Sequence, residues 1–381
     1  MSFFIAYDRI MKVNIVLGNF KLLKIVSIYI KNKKFRAFTN NDKIMSVTLK
    51  TIAEYTGLSV TTVSRALKDG DDVKQPTIDK VKAAAKKLGY APNIQGLSLK
   101  TGINYNIVAV LPMLKSGDIV GDVGTLALIS GLTLGLEGTP YNLSVLPLLP
   151  GQDPLEPVKY AVERRLAGGI IINATKNQDE RVTYLQEHKV PFITFGQTEM
   201  SIDHAFVDVD NYDIGYRAAS YLFKIGCKHI KMLSSSADYT YACHKYYGVK
   251  RAAMEFGVDF DREKDIIYDY SLVTNYRKMF FDLMSKADHP DGIFCGSEIS
   301  SLGCISGIQD AGLVVGKDVH VINVETCDLP AFYNPLIPGL RQNFHSVGTV
   351  LSKYIIKLIE GEDPKKLQYI EKATFYPRDE K

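Results

Sequence analysis

Between Thr48 and Lys68 the chain reads TLKTIAEYTGLSVTTVSRALK. The chemistry open to such a stretch is to set a helix into a nucleic-acid groove. Counted from Leu49, the fifth residue is Ala53, the ninth Gly57 and the fifteenth Val63. In a helix–turn–helix the two helices cross so closely at the fifth position that little more than a methyl fits. The ninth takes a left-handed turn conformation that favours glycine, and the fifteenth is a β-branched residue locking the second helix onto the first. Elsewhere the parts of an enzyme are missing: there is no G-x-S-x-G, no H-E-x-x-H, no P-loop, and no G-x-G-x-x-G after the first apolar run. The five cysteines, Cys227, Cys243, Cys295, Cys304 and Cys327, form no C-x-x-C pair and are odd in number. They suggest neither a zinc framework nor a disulfide scaffold, and read as buried, reduced thiols. Cys243 and His244 make no dyad, since neighbours on a helix point about 100° apart. The seven histidines show no ligand spacing, so neither a metal nor a cofactor is expected.

The elements around the groove-entry stretch are consistent with it. Thr48 is an N-cap for a first helix with Leu49, Ile52 and Ala53 on one stripe, ending at Gly57. Ser59 caps a second helix, Val60 to Leu67. A third, PTIDKVKAAAKKLGY, starts near Pro76, carries Ile78, Val81, Ala85 and Leu88 on one face, and stops at Gly89 before Pro92. NIQGLSLKTG then follows as a short helix or a plain linker. Charge is divided along the chain. Residues 1–44 hold nine Lys/Arg against two Asp/Glu, residues 45–103 nine against five, and residues 104–381 hold 28 against 35. A basic front and an acidic body suit one segment that meets a polyanion and another that avoids it. The apolar runs before residue 44 are interrupted by lysines and fall short of the roughly 20 residues a bilayer helix needs. They lack the unbroken apolar region and cleavage site of an export signal. Residues 1–44 therefore read as a poorly ordered extension, and Met45 as a candidate translation start.

From Asn106 short Val/Ile-rich runs alternate with amphipathic helical patterns. The runs include NIVAVLP, LSVLPLL, GGIIIN, FITFG, AFVDVD, HIKMLS, GIFCGS and VHVINV, and the helices include Pro154–Leu166, Tyr212–Ile225 and Glu298–Ala311. Alternating β and α units predict parallel sheets covered on both faces. About nine or ten strands are too many for one core of usual size, so two doubly wound lobes are expected.

The run TLKTIAEYTGLSVTTVSRAL…TIDKVKAAAKKLGYAPN resembles the DNA-binding headpiece of the lactose-repressor (LacI/GalR) family of bacterial transcription regulators, nearly without gaps from Val47 to Gly102. DVDNYDIGYRAASYLFKIGCKHI, GVKRAAMEFG, HPDGIFCGSEISSLGCISGIQDAGLVVGKDV and GLRQNFHSVG resemble, more diffusely, the family's effector domain, itself similar to periplasmic sugar-binding proteins. The resemblance implies a small all-α helix–turn–helix headpiece joined to an α/β effector domain of two doubly wound parallel-sheet lobes of the periplasmic-binding-protein type I kind. The expected divisions are the extension 1–44, a headpiece 45–91, a hinge 92–103 and an effector-binding and dimerisation domain 104–381. Within the last, an N-lobe takes about 104–197 plus 326–345 and a C-lobe about 198–325 plus 346–381.

The resemblance also implies roles. Val60, Thr61 and Arg65 fall where the family's recognition helix meets base edges; Arg65 suits a bidentate contact to guanine, and Val60 and Thr61 offer methyls to thymine. Thr48, Ser59, Thr62 and Ser64 match phosphate-holding positions. In NIQGLSLK, Asn93 opens the family's hinge helix and Leu99 matches the leucine that wedges the operator's central minor-groove step. Gly96 stands where alanine is usual, at about 1 kcal/mol in helix propensity.

In the effector domain, Glu298 matches a ligand-binding aspartate at the end of a strand, where ligands of open α/β sheets bind. Ser297 replaces a usual asparagine, and Glu325 a usual aspartate. Counting back from Gly248 puts the family's ligand-binding arginine at Cys243; either His244 or Lys245 substitutes for it, or the ligand lacks the group that arginine holds. Tyr239 and Tyr241 could stack on an apolar sugar face, and Thr125, Asn173 and Gln197 lie at strand ends or helix starts. The expectation is a cytoplasmic homodimeric regulator, a repressor more readily than an activator, with double-stranded operator DNA and a small polar effector such as a sugar as partners and no membrane. The alternative is a sugar-binding or sugar-modifying α/β protein with a vestigial headpiece.

Overall fold

The computed structural model describes residues 47–90, 94–113, 123–234, 236–268 and 273–378. The extension 1–44, Met45 and Asn93 lie outside the described residues. The chain divides into two compact units, one within Met1–Asn93 and the other within Ile94–Lys381.

The first unit is three helices, α1 (Leu49–Thr56), α2 (Val60–Ala66) and α3 (Gln75–Leu88). Thr48 caps α1 in a reciprocal capping box with Thr51. Gly57 ends α1 at φ 70°, where the chain must turn left-handed to start α2. Ser59 caps α2 by accepting the Thr62 N–H at 3.0 Å. Ile52, Ala53, Val63, Ala66, Ile78, Val81, Ala84 and Ala85 form the core. The close-crossing alanine and the locking valine are therefore both inside, and the polar side of α2 is left outside. Lys80 of α3 donates to the Thr56 carbonyl at 2.9 Å and ties α3 to the end of α1.

The second unit opens with α4 (Ile94–Thr101), a helix whose Leu97 packs on the unit's main core. It continues with β1 (Asn106–Pro112), α5 (Val123–Gly135), β2 (Asn142–Leu148), α6 (Leu155–Glu163), β3 (Gly169–Asn173), α7 (Glu180–Glu187), β4 (Phe192–Phe195) and β5 (Ala205–Val209). Then come α8 (Asn211–Lys224), β6 (Ile230–Ser234), α9 (Thr240–Phe256), α10 (Arg262–Asp265), β7 (Ile266–Tyr268), α11 (Val273–Met284), β8 (Gly292–Cys295), α12 (Glu298–Asp310), β9 (His320–Glu325) and β10 (Gly339–Arg341). It ends with α13 (Phe344–Ile359), β11 (Gln368–Glu371) and β12 (Thr374–Tyr376). Two six-stranded sheets result, in the orders β11-β5-β4-β3-β1-β2 and β12-β10-β9-β8-β6-β7. Among the described residues every strand pairing is parallel except β10 with β12.

The sheets confirm two doubly wound lobes but correct their boundaries. β5 belongs to the N-lobe sheet, so the first crossing falls at residues 209–211 rather than near 197. The two returning segments are exchanged relative to expectation: β10 lies in the C-lobe sheet, while α13 and β11 return to the N-lobe before β12 closes the C-lobe. Strand pairing decides this, because Gly339–Arg341 completes the edge of β9. Glycines decide the helices. A Cβ on Gly131 of α5 would stand 2.0 Å from the His345 carbonyl oxygen, and one on Gly348 of α13 would stand 2.4 Å from that of Leu128. α5 and α13 therefore touch backbone to backbone. The C-lobe repeats the device between α8 and α9, with Gly215 against Lys245 and Gly248 against Tyr212.

Candidate functional site

Two surfaces carry the expected residues, one in each unit. On α2, Val63 and Ala66 face the core, so Val60, Thr61, Ser64 and Arg65 share the opposite side at helical spacing. Val60 is 44% exposed, large for an apolar side chain on a small domain, and Thr61 and Arg65 are exposed beside it. Arg65 Nη1 pairs with Asp72 Oδ2 at 2.5 Å. Ser59 and Thr62 hold each other's hydroxyls at 2.8 Å at the helix N-terminus, and Thr48 is exposed at the head of α1. In the second unit Gly96 and Leu99 lie on α4, with Leu99 89% exposed.

The second surface is a cleft of about 280 Å³ between the lobes. The carboxyl ends of strands from both sheets meet there: Pro112, Asn173, Phe195 and Val209 from the N-lobe, Leu233, Ser234 and Val324 from the C-lobe. Among the described residues, three charged side chains line it: Asp208, Lys245 and Glu298. Glu298 starts α12, and its Oε1 accepts from Thr326 N–H, from Thr326 Oγ1 at 2.9 Å and from Cys327 N–H at 3.0 Å. One oxygen of the carboxylate thus anchors the loop after β9. Burial pushes the Asp208 pKa up, against bonds from Gln197 and Val209 that hold it down. Burial lowers Lys245 from 10.5 to about 8, with Asp208 pulling it back. Phe195 and Phe344 meet edge to face at 5.0 Å and form an apolar wall. The Tyr241 ring lies 5.1 Å from the Lys245 ammonium.

The structure brings Asn173, Tyr241, Ser297 and Glu298 together in this cleft. Ser297 is the N-cap of α12, in a capping box with Ser300. Other expected residues are placed elsewhere. Tyr239 stacks behind Tyr241 at 5.4 Å and does not line the cavity. Gln197 braces Asp208, donating to Oδ2 from N–H and from Nε2, both at 3.1 Å. Thr125 sits in the first turn of α5, half-buried and away from the lining.

Two assignments need correction. Cys243 is buried with its thiol toward the Ala237 carbonyl at 3.4 Å, and the cation that enters the cleft is Lys245. Glu325 is 0% exposed, with both oxygens taken by Arg378 at 2.6 and 2.8 Å and Oε1 also by Arg341 at 3.0 Å. It is a buried ion pair with these two arginines and does not line the cleft. Four of the five cysteines are buried, and burial pushes Cys227 up to about 12. Sequence reasoning missed Asp208, although it is the first aspartate of the run FVDVD, at a strand's carboxyl end.

The lobes also touch directly at one rim of the cleft. Thr240 N–H donates to the Thr175 carbonyl at 3.0 Å, Lys176 and Tyr239 make an antiparallel bridge, and His244 Nε2 meets Glu199 Oε1 at 2.9 Å. Among the described residues no helix is long and apolar enough to cross a membrane.

Comparison with known proteins follows these two surfaces. The model of bacterial regulatory proteins of the lacI family matches residues 48–93, and that of the periplasmic binding protein-like domain matches residues 219–379. The HTH-type transcriptional regulator AglR of Rhizobium meliloti (strain 1021) is 29% identical over 335 residues, 84% of this chain and 91% of that protein. RafR of Escherichia coli, another HTH-type transcriptional regulator, is 29% identical over 340 residues, 87% and 97% respectively. The HTH-type transcriptional repressor CytR of Escherichia coli (strain K12) is 23% identical over 322 residues, 83% and 91%. Among solved structures, the lac repressor dimer bound to operator and the anti-inducer ONPF matches with a TM-score of 0.70 at 19% identity, over 87% of this chain and 97% of that one. A CelR–cellobiose complex matches at 0.64 and 20% identity, over 86% and 98%. At such identities the solved structures speak for the fold.

Proposed function

The chain belongs to the lacI family of bacterial regulatory proteins and is a DNA-binding transcriptional regulator, and from that premise we propose that it is a cytoplasmic, homodimeric repressor governed by a small polar effector of the sugar class. The observation that carries the reading is the outward face of α2, where Val60, Thr61 and Arg65 stand together on a three-helix unit whose core is otherwise closed. Arg65 reads a guanine, Val60 and Thr61 meet thymine methyls, and Thr48, Ser59, Thr62 and Ser64 hold phosphates and fix register. Asn93, Gly96 and Leu99 belong to the hinge, where Leu99 enters the minor groove; an apolar side chain 89% exposed is suited to a wedge.

The effector sits in the inter-lobe cleft. Glu298 accepts from sugar hydroxyls through the oxygen that does not anchor the loop, Lys245 donates to them, and Tyr241, Phe195 and Phe344 cover an apolar ring face. Asp208, whose oxygens already take four hydrogen bonds from Gln197, Val209 and Asn211, supplies the charge that faces Lys245. The CytR relative, named as a repressor, supports the sign of regulation. Because the ligand bridges two lobes, it shifts operator affinity to the extent that it prefers one lobe arrangement over another.

The test is selection from a pool of random-sequence duplexes, followed by titration of the bound complex with a sugar panel. An inverted-repeat motif released by one sugar is the expected result. Sugar binding without any selected DNA motif refutes the proposal and favours a sugar-binding protein with a vestigial headpiece. Arg65→Ala should relax preference at one base pair per half-site, at a cost of about 1–3 kcal/mol.

A further inference from the structure

The loop joining α2 to α3 reads KDGDDVK, with three aspartates beside the face that is to meet a polyanion. Electrostatics alone disfavours that placement, because each carboxylate repels the phosphate backbone. Two of the three are ion-paired, and Asp69 is paired away from that face, taking the Lys82 ammonium of α3 at 2.6 and 2.8 Å. Asp71 is exposed. Asp72 is the one that reaches across to the base-reading face, where its Oδ2 holds Arg65 Nη1 at 2.5 Å. The loop is built to keep it there. Gly70 N–H donates to the Arg65 carbonyl at 3.0 Å, and Val73 N–H donates to the Gly70 carbonyl at 2.9 Å, so Asp72 lies inside a turn pinned to the end of α2.

The contact uses one nitrogen of the guanidinium. Reading a guanine takes two parallel N–H groups along one edge of that group, aimed at O6 and N7. With Nη1 engaged by Asp72, the edge formed by Nε and Nη2 remains outside the pair. A guanidinium fixed at one corner presents that edge in a single orientation, whereas a loose arginine turns equally to any nearby phosphate or base acceptor.

We propose that Asp72 is a specificity-determining residue of the headpiece, a positioning group that orients Arg65 for guanine while its charge discourages non-specific DNA. The inference rests on Arg65 being the base-reading side chain.

The experiment uses the full chain and a pool of random-sequence duplexes, with bound molecules sequenced to give base preference at each position. Affinity is measured in parallel for a duplex lacking the selected motif. Asp72→Asn removes the charge and keeps the size. It should flatten guanine preference at the Arg65 position by about two- to fivefold, the range of an exposed ion pair, and tighten binding to the motif-free duplex. Asp71→Asn removes an equal charge outside the pair; it should tighten the motif-free duplex and leave base preference unchanged. In an Arg65→Ala background, Asp72→Asn should leave base preference where Arg65→Ala alone puts it. Matching thermal unfolding of the aspartate variants and the parent keeps a folding defect out of the comparison. The inference is overturned if Asp72→Asn and Asp71→Asn give the same preference profile, since Asp72 then acts as charge alone. It is overturned equally if Asp72→Asn sharpens the guanine preference, which makes Asp72 a competitor of DNA. If Arg65→Ala alone leaves every preference intact, the assignment of Arg65 itself is wrong and this inference falls with it.

Discussion

Lys245 offers a test in which stability and function move in opposite directions. Its side chain is 7% exposed, and burial lowers its pKa from 10.5 to about 8. The folded value lies below the unfolded one, so the unfolded chain binds more protons between the two, and stability rises with pH across that window. At about 1.4 kcal/mol per pH unit, keeping this lysine charged in the cleft costs the fold about 3 kcal/mol at pH 7. The cost is present below pH 8 and is progressively relieved as pH rises toward 10.5. Asp208 is the facing charge that limits it, and Glu298 is the other carboxylate in the same cleft.

Lys245→Met keeps an unbranched side chain and removes the charge. At pH 7 the variant should be the more stable protein, by up to about 3 kcal/mol, less about 0.5–1 kcal/mol for the lost contact with the Tyr241 ring. Near pH 10 the advantage should shrink toward nothing, because the parent's lysine is then largely neutral. Effector affinity should fall about tenfold or more, the usual worth of a hydrogen bond from a charged donor. Binding to the parent should weaken as pH climbs through about 8. Urea unfolding at pH 7 and pH 10, with calorimetric titration of the sugar found by the panel, reads all of these. A variant less stable than the parent at pH 7, or a stability difference equal at both pH values, refutes the reasoning, since the lysine is then not held charged against its surroundings.

The other perturbations separate anchoring from binding. Glu298→Gln retains an oxygen for the Thr326 and Cys327 N–H groups, so it should fold normally while binding effector about tenfold or more weakly; unchanged affinity by calorimetry places the ligand elsewhere. Glu325→Gln should destabilise by about 3 kcal/mol by leaving the largely buried Arg378 without its carboxylate partner, while Arg341 keeps Asp328, with effector affinity of the folded protein intact; lost affinity at normal stability returns Glu325 to the cleft. Leu99→Ala, at a side chain 89% exposed, should leave the melting temperature alone and weaken operator binding in a gel shift; operator binding equal to the parent's removes Leu99 from the wedge role.

The headpiece was legible because its determinants are local. Thr48, Gly57, Ser59 and Gly89 each act within a few residues, and each does in the structure what its type implies, from capping to the left-handed stops at φ 70°. The eight strands that lie in the Val/Ile-rich runs were legible for the same reason. The short β7, β10, β11 and β12 carry too few residues for a pattern, and they exist because a longer neighbour offers an edge. That is why the lobe boundaries were misread: whether residues 339–341 join one sheet or the other is decided by β9, more than a dozen residues upstream, and whether α13 returns to the N-lobe is decided by Gly131 meeting Gly348.

Within the cleft, the misplacements were rotations rather than wrong neighbourhoods. Cys243 and Lys245 are two residues apart on α9, about 200° around a helix, so of the expected substitutes for an arginine at Cys243 it is Lys245 that lines the cleft, while Cys243 turns away from it. Val324 and Glu325 are consecutive on β9, and consecutive strand side chains point to opposite faces. Val324 lines the cleft, which turns Glu325 toward Arg341 and Arg378 beside the last two crossings between the lobes. A carboxylate near the end of a strand thus lines the crevice only when its register points it there, as with Asp208. One residue of register makes it a buried ion pair, as with Glu325.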